Sequence, residues 1–349
     1  MAQLVDYVIS TRKISGGGFT AEPGETTFLQ VPRTAKRPLP SMRIRPELWA
    51  GKVRDLADGR ADDTIEEAGD VLLFVHGYNN DLDIIMQRQR RLQADLAAEG
   101  WRGVVVAFDW PSANSTLNYL EDRSDAATVA VKLVADGVTL LARGQESGCK
   151  TNVHLIGHST GAYVILEAFA EAQKVKSLYR SEWRVAQCAF IGGDVSAASL
   201  SVKSDWAAPM YERVTRLTNY QNPFDSVLGV SNAKRLGTSP RAGRVGLPAG
   251  PLEQHPKSTN VNCGAHFQTL DPKKSVFFGT FNHSWHIGDR VFARDLAMTL
   301  EGSIDRYALP TRRRVEGELI LIDGARPLFQ KDWNLERGLP VVAARQPGR

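Results

Sequence analysis

The chain of 349 residues is 42% hydrophobic and carries 43 basic against 39 acidic side chains, an ordinary globular composition that excludes disorder throughout. Its three cysteines, Cys149, Cys188 and Cys263, are too few and too widely spaced for a disulfide framework or a tetrathiolate metal site. The formal charge of +4 gives no reason to expect nucleic acid as a partner, and no apolar run approaches the roughly 20 residues of a membrane helix.

In chain order, the start from Met1 to Asp6 has neither a basic stretch nor an apolar one, so a cytoplasmic location is expected. Residues 1–67 are rich in Gly, Pro and Arg, with alternating pieces at Tyr7–Ile9 and Thr27–Val31; they read as an N-terminal extension of edge strands or irregular chain. The pattern then changes. Short β-branched runs recur at Val71–Val75, Val104–Phe108, Val153–Ile156, Cys188–Ile191, Val214–Leu217 and Val276–Phe278, and each predicts a strand buried on both faces. Between them the spacing predicts helices over Asp83–Glu99, Asp122–Arg143, Ala162–Val175 and Asp289–Leu300; in the last, Phe292, Leu296 and Leu300 make one apolar stripe. Alternating strands and helices imply an α/β fold, a mostly parallel sheet with helices on both faces, here over residues 68–302. Residues 229–272 read as an insertion or cover loop; within it, between Val230 and Asn260, Lys234, Arg235, Arg241, Arg244 and Lys257 stand against the single acid Glu253, either a basic loop near a ligand or a solvated one. Residues 303–349, with Arg312-Arg313-Arg314, read as a C-terminal extension.

Reactive groups in a parallel sheet gather where strands end. After Val153–Ile156 comes Gly157-His158-Ser159-Thr160-Gly161, a Gly-x-Ser-x-Gly string that opens directly into a helix. Taken alone the string is weak, but strand, tight turn and helix are the setting in which a serine hydroxyl is held proud of a sheet, with Gly157 and Gly161 letting strand and helix approach. The plain alternative is a glycine-rich connection with Ser159 as a helix cap.

A serine needs a base, and the base needs an orienting group. Of the seven histidines, His283 follows the expected strand at Val276–Phe278 and precedes a helix, which makes it the preferred base, with His286 as the alternative. His158 sits inside the serine turn, His154 within a strand, and His255 and His266 in the irregular insertion. The orienting carboxylate should follow a strand between serine and histidine; Asp225 is preferred, Asp194 is the alternative. For the oxyanion, one donor would be the N–H of Thr160 and the other would come from the loop His76-Gly77-Tyr78-Asn79-Asn80, at Tyr78 or Asn79.

Taken together, His76-Gly-Tyr-Asn79, Trp110-Pro-Ser112 with Tyr119 and Asp122, the Ser159 turn, Asp225 with Val227-Leu228, and His283-Ser-Trp285 make the chain resemble the alpha/beta-hydrolase superfamily, and within it a bacterial branch of serine hydrolases of unknown function. The resemblance covers about residues 68 to 302 and implies an eight-stranded type of sheet, a Ser159–Asp225–His283 triad and hydrolysis of an ester-like bond. The expected activity is that of an esterase or lipase working through an acyl-enzyme on a small-molecule ester, without metal or organic cofactor. A lipase or acyltransferase at a membrane surface, with the 229–272 segment as cover, and a non-catalytic binding protein are the alternatives.

Overall fold

The computed structural model describes residues 5–58, 69–78, 81–112, 129–143, 151–233, 237, 239–250 and 252–327. Asn79, Tyr119, Asp122, Cys149, Lys234, Arg235 and the tail from residue 328 lie outside the described residues, as does the first part of the helix expected at Asp122–Arg143.

Among the described residues ten strands share one sheet: β1 Val5–Ser15, β2 Gly18–Pro32, β3 Asp70–Val75, β4 Gly103–Asp109, β5 Val153–His158, β6 Val185–Ile191, β7 Val214–Gln221, β8 Ser258–Asn262, β9 Arg312–Val315 and β10 Glu318–Leu321, in spatial order β2-β1-β4-β3-β5-β6-β7-β8-β10-β9. Every pairing from β1 through to β10 is parallel, a run of eight strands, and antiparallel β2 and β9 close the two rims. Strands from residues 1–67, from 229–272 and from 303–349 therefore enter the same sheet as those of the central region.

The central strands read as they do because both their faces are covered. In β3, Val71, Leu73 and Val75 point into one core while Leu72 and Phe74 point into the other, and none is more than 1% exposed. Each such side chain contributes about 1.5–3 kcal/mol by leaving water. The first face is covered by α1 Pro46–Ala57, by the helical stretch 129–143 with its π-wound turn at Leu133–Val138, and by α3 Gly161–Lys174. The second is covered by α2 Leu82–Ala98, through Leu92 and Leu96, and later in the chain by α6 Arg290–Glu301. The short helices α4 Ser226–Ala233 and α5 Phe281–Ser284 lie between these in sequence.

One expected strand is not a strand. Residues 271–280 run irregularly outside the sheet, and the histidine they lead to sits on α5 instead of after a strand. The physical reason is that the place beside β8 is filled by β10, which pairs Leu319 with Val261 and Ile320 with Asn262. Phe277 meanwhile packs on Phe281, their ring centroids 5.1 Å apart, so the apolar run serves side-chain packing without a backbone ladder.

Candidate active site

The ends of β3, β5, β6 and β7 meet at one rim. At the end of β5 the chain reverses through Ser159, whose φ of 57° puts an L-residue in the left-handed region. Two backbone bonds hold it there: the Ser159 N–H donates to Ile191 O (3.0 Å), and Ser159 O accepts from the Asp194 N–H (3.0 Å). The flanking glycines are required by contact. A Cβ on Gly161 would lie 2.1 Å from Val75 O, and one on Gly157 would lie 2.8 Å from the Ala162 nitrogen. Gly77 presses equally close from the β3 loop, since a Cβ there would fall 2.7 Å from the Ser159 Cβ.

From the end of β7, Asp225 reaches His283, with Nδ1 2.6 Å from Oδ2. The carboxylate is fully buried and the imidazole 6% exposed. A carboxylate only accepts, so Nδ1 carries the proton and Nε2 is left to accept one. The second Asp225 oxygen accepts the Leu228 N–H (3.0 Å) at the start of α4, so the carboxylate is fixed at both ends. The two loops are laced together as well: Asn222 Nδ2 donates to Asn282 O (2.9 Å), and Asn282 Nδ2 donates to Ser226 Oγ (2.6 Å). Gly192, at φ 52° after β6, leaves room for the ring; a Cβ there would come within 3.1 Å of His283 Cε1.

The rivals are otherwise engaged. Asp194 accepts from Ser231 Oγ (2.8 Å) and lies 3.3 Å from Arg241 Nε. His286 is 1% exposed, its ring stacked on Trp285 at 4.2 Å with neither nitrogen bonded, and burial, helped by His283 and His266, draws it down to about 3. His266 does follow a strand, β8, contrary to its expected place in irregular chain. It pairs with Asp289 at 3.0 Å, but that carboxylate also caps α6 through the Phe292 N–H (2.8 Å).

The β3 loop is clamped to the end of β4. The Trp110 N–H donates to His76 Nε2 (3.2 Å), so Nδ1 bears the ring proton and donates to Gly77 O (2.7 Å); the Trp110 indole N–H donates to His76 O (2.8 Å). Asp109 beneath is anchored from β1 by Arg12 Nε (2.8 Å) and Ser10 Oγ (2.7 Å). Burial pushes the Asp109 carboxyl up, but the Arg12 charge and the hydrogen bond from Ser10 outweigh it and hold it below the usual range. In this resting arrangement the Tyr78 N–H donates to Thr160 Oγ1 (2.8 Å).

The basic residues of the 229–272 segment that can be described are fasteners. Arg241 is buried beside Asp194, Arg244 donates to Asp225 O (2.9 Å), and Lys257 donates to the carbonyls of Val214 (3.0 Å) and Tyr211. Sequence reasoning passed over Arg88, Asn222, Asn282 and Gly192. Arg88 alone left a signal, a charged residue at the core-facing spacing between Ile85 and Leu92. Among the described residues no group of three or more potential ligands could hold a metal ion, and no helix is long and apolar enough to cross a membrane.

Residues 60–264 match a family described as "Alpha/beta hydrolase of unknown function (DUF900)". No curated protein sequence matches the chain. Similar solved structures include a protein of Lactobacillus plantarum WCFS1 assigned as a cell surface hydrolase, 10% identical over 67% of this chain and 91% of its own, with a TM-score of 0.33. A metagenomic carboxyl esterase is 13% identical over 68% of this chain and 75% of its own, with a TM-score of 0.32. A lipase-esterase related protein of Clostridium acetobutylicum ATCC 824 is 19% identical over 41% of this chain and 49% of its own, with a TM-score of 0.22.

Proposed function

We propose that this chain, which belongs to the alpha/beta hydrolases of unknown function designated DUF900, is a serine hydrolase that cleaves carboxylic esters through an acyl-enzyme. The observation that carries the reading is the 2.6 Å bond between His283 and Asp225, at the same rim as a serine held at φ 57° between two obligatory glycines.

In this reading Ser159 Oγ attacks the ester carbonyl carbon while His283 Nε2 takes its proton. Asp225 keeps the imidazole in the tautomer that leaves Nε2 open and stabilises the imidazolium that forms. The carbonyl oxygen becomes an oxyanion, met by the Thr160 N–H and, from the β3 loop, by the Tyr78 N–H. For Tyr78 to serve, the Thr160 hydroxyl that it now binds must turn away as the oxyanion forms. His283 then returns the proton to the departing alkoxide, the alcohol leaves, and a water deprotonated by the same nitrogen opens the acyl-enzyme to carboxylate and free serine. The engagement of Arg241, Arg244 and Lys257 inside the fold gives no support to a cationic docking surface for anionic membranes.

The test is labelling with a fluorophosphonate beside a panel of chromogenic esters of graded acyl length. The wild-type chain is expected to label at Ser159 and to turn over at least one ester, and Ser159→Ala to do neither while keeping its thermal transition. An unlabelled wild type, or a Ser159→Ala variant as active as wild type, overturns the reading.

A further inference from the structure

The histidine loop lacks the strand that would ordinarily fix it, yet His283 is buried and sits 2.6 Å from Asp225. Its backbone is held from the opposite side, by a cation on α2. Arg88 is 5% exposed; its Nη2 donates to Phe278 O and lies 3.5 Å from Ser284 Oγ, which places bonds on either side of His283. Its Nη1 lies 3.2 Å from His158 Nδ1, and His158 Nε2 lies 3.2 Å from His283 O. No carboxylate among the described residues pairs with Arg88.

The chemistry of these contacts admits one protonation pattern. A guanidinium has donors only, so His158 Nδ1 must accept and cannot carry a proton. The neutral ring then bears its proton on Nε2, and that N–H is the donor to the His283 carbonyl. Burial lowers Arg88 to about 10, still charged at neutral pH, while burial and the Arg88 charge keep His158 well below the usual imidazole range. The two imidazoles have centroids 4.9 Å apart, and only one of them is placed to exchange protons.

We propose that Arg88 and His158 form a positioning relay that locks the His283 loop against the strand carrying Ser159, with His158 held permanently as the neutral Nε2–H tautomer. The proposal rests on the serine-hydrolase reading for its kinetic consequence, though the tautomer stands apart from it. Neither residue touches the reacting atoms; each acts through the backbone of the base. Since a misplacement of about 1 Å can cost about 100-fold in rate, loss of the relay falls on kcat while ground-state binding is spared.

The experiment compares full-length wild type with Arg88→Met, Arg88→Lys, His158→Phe and His158→Gln, reading kcat and KM on a chromogenic ester, fluorophosphonate labelling, and the ring nitrogens by ¹⁵N-histidine NMR. Arg88→Met and His158→Phe are expected to lower kcat about 100-fold with KM within about threefold of wild type. Arg88→Lys, which restores a donor, and His158→Gln, whose amide can still reach the His283 carbonyl, are expected to recover about tenfold of that loss. In wild type, His158 is expected to stay a single Nε2–H tautomer well below the pH at which a free imidazole gains its second proton, and in Arg88→Met to gain that proton at a higher pH than in wild type, burial still holding it down. A folded Arg88→Met with wild-type kcat, or a wild-type His158 protonated on Nδ1, overturns the proposal. If the Arg88 variants do not fold, the wild-type tautomer decides the matter alone. A wild type that neither labels nor turns over an ester overturns the hydrolase reading and the relay's kinetic role together, and the spectrum then tests only the hydrogen-bond chain.

Discussion

Asp225 spends its two oxygens on different partners, Oδ2 on the His283 ring and Oδ1 on the Leu228 N–H of α4. Asn at this position could still cap the helix but would present either an amide or a single carbonyl to Nδ1, and the ring would lose its enforced tautomer. If the proposed triad operates, Asp225→Asn is expected to lower kcat on the order of 10,000-fold with a nearly unchanged urea midpoint, whereas His283→Ala should match Ser159→Ala within about tenfold, since the members of such a triad act as a unit. Parallel kinetics and urea titrations check both. At this scale the sequence was most readable where a residue is tied to a local string. Ser159 is bracketed by glycines whose missing Cβ atoms the structure explains, and Trp110 and His76 are coupled by the loops that bear them. The spacing of Arg88 marks it as core-facing, but its role was hidden because its partners lie 70 and 190 residues away, at His158 and Phe278, and no local pattern announces them.

Elements were legible in proportion to how completely they are buried by apolar neighbours. β3 through β6 are mainly apolar runs that two helical layers cover, and their sequences alternate little. β8, Ser-Thr-Asn-Val-Asn, was missed because its register is set partly by polar groups: Asn260 Oδ1 accepts from Asn219 Nδ2 at 2.8 Å across the β7 pairing. Val276–Phe278 erred the other way, an apolar run whose sheet position the distant β10 had taken. The turn elements make a sharper prediction. Gly161→Ala would set a methyl 2.1 Å from the carbonyl oxygen of Val75, forcing α3 away from β3. The expected result is a loss of about 1–3 kcal/mol in urea unfolding together with lost ester turnover, since the same shift drags Ser159 off the rim. Gly192→Ala strains a backbone at φ 52° by about 1–2 kcal/mol and crowds the imidazole at 3.1 Å, so its activity should fall further than its stability.

For the molecule as a whole, several buried groups push stability in one direction with pH. His158 and His286 are 3% and 1% exposed, and burial, followed by neighbouring cations and imidazoles, lowers both below their unfolded values. The unfolded chain takes up protons first, so stability falls as pH drops through about 6.5 and keeps falling until the folded groups titrate. Each histidine removes about 1.4 kcal/mol per pH unit in that window. Asp70 and Asp109 are depressed in the fold, so their contribution is present above about pH 4 and is lost below it, adding to the same trend. Urea midpoints at intervals between about pH 7.5 and 4.5 should decline steadily, and Arg88→Met should lessen the part due to His158, leaving the share that burial causes. A flat profile would show that these imidazoles gain protons inside the fold without penalty.

The left-handed seat of Ser159 carries a consequence for the life history of such a chain. Glycine would sit there without the steric objection a Cβ meets, so Ser159→Gly should melt higher than its parent, by up to about 1 kcal/mol. A lineage released from the demand to react would find a sturdier descendant one codon change away, and a serine retained at that position in a homologue would mark continued use of its hydroxyl.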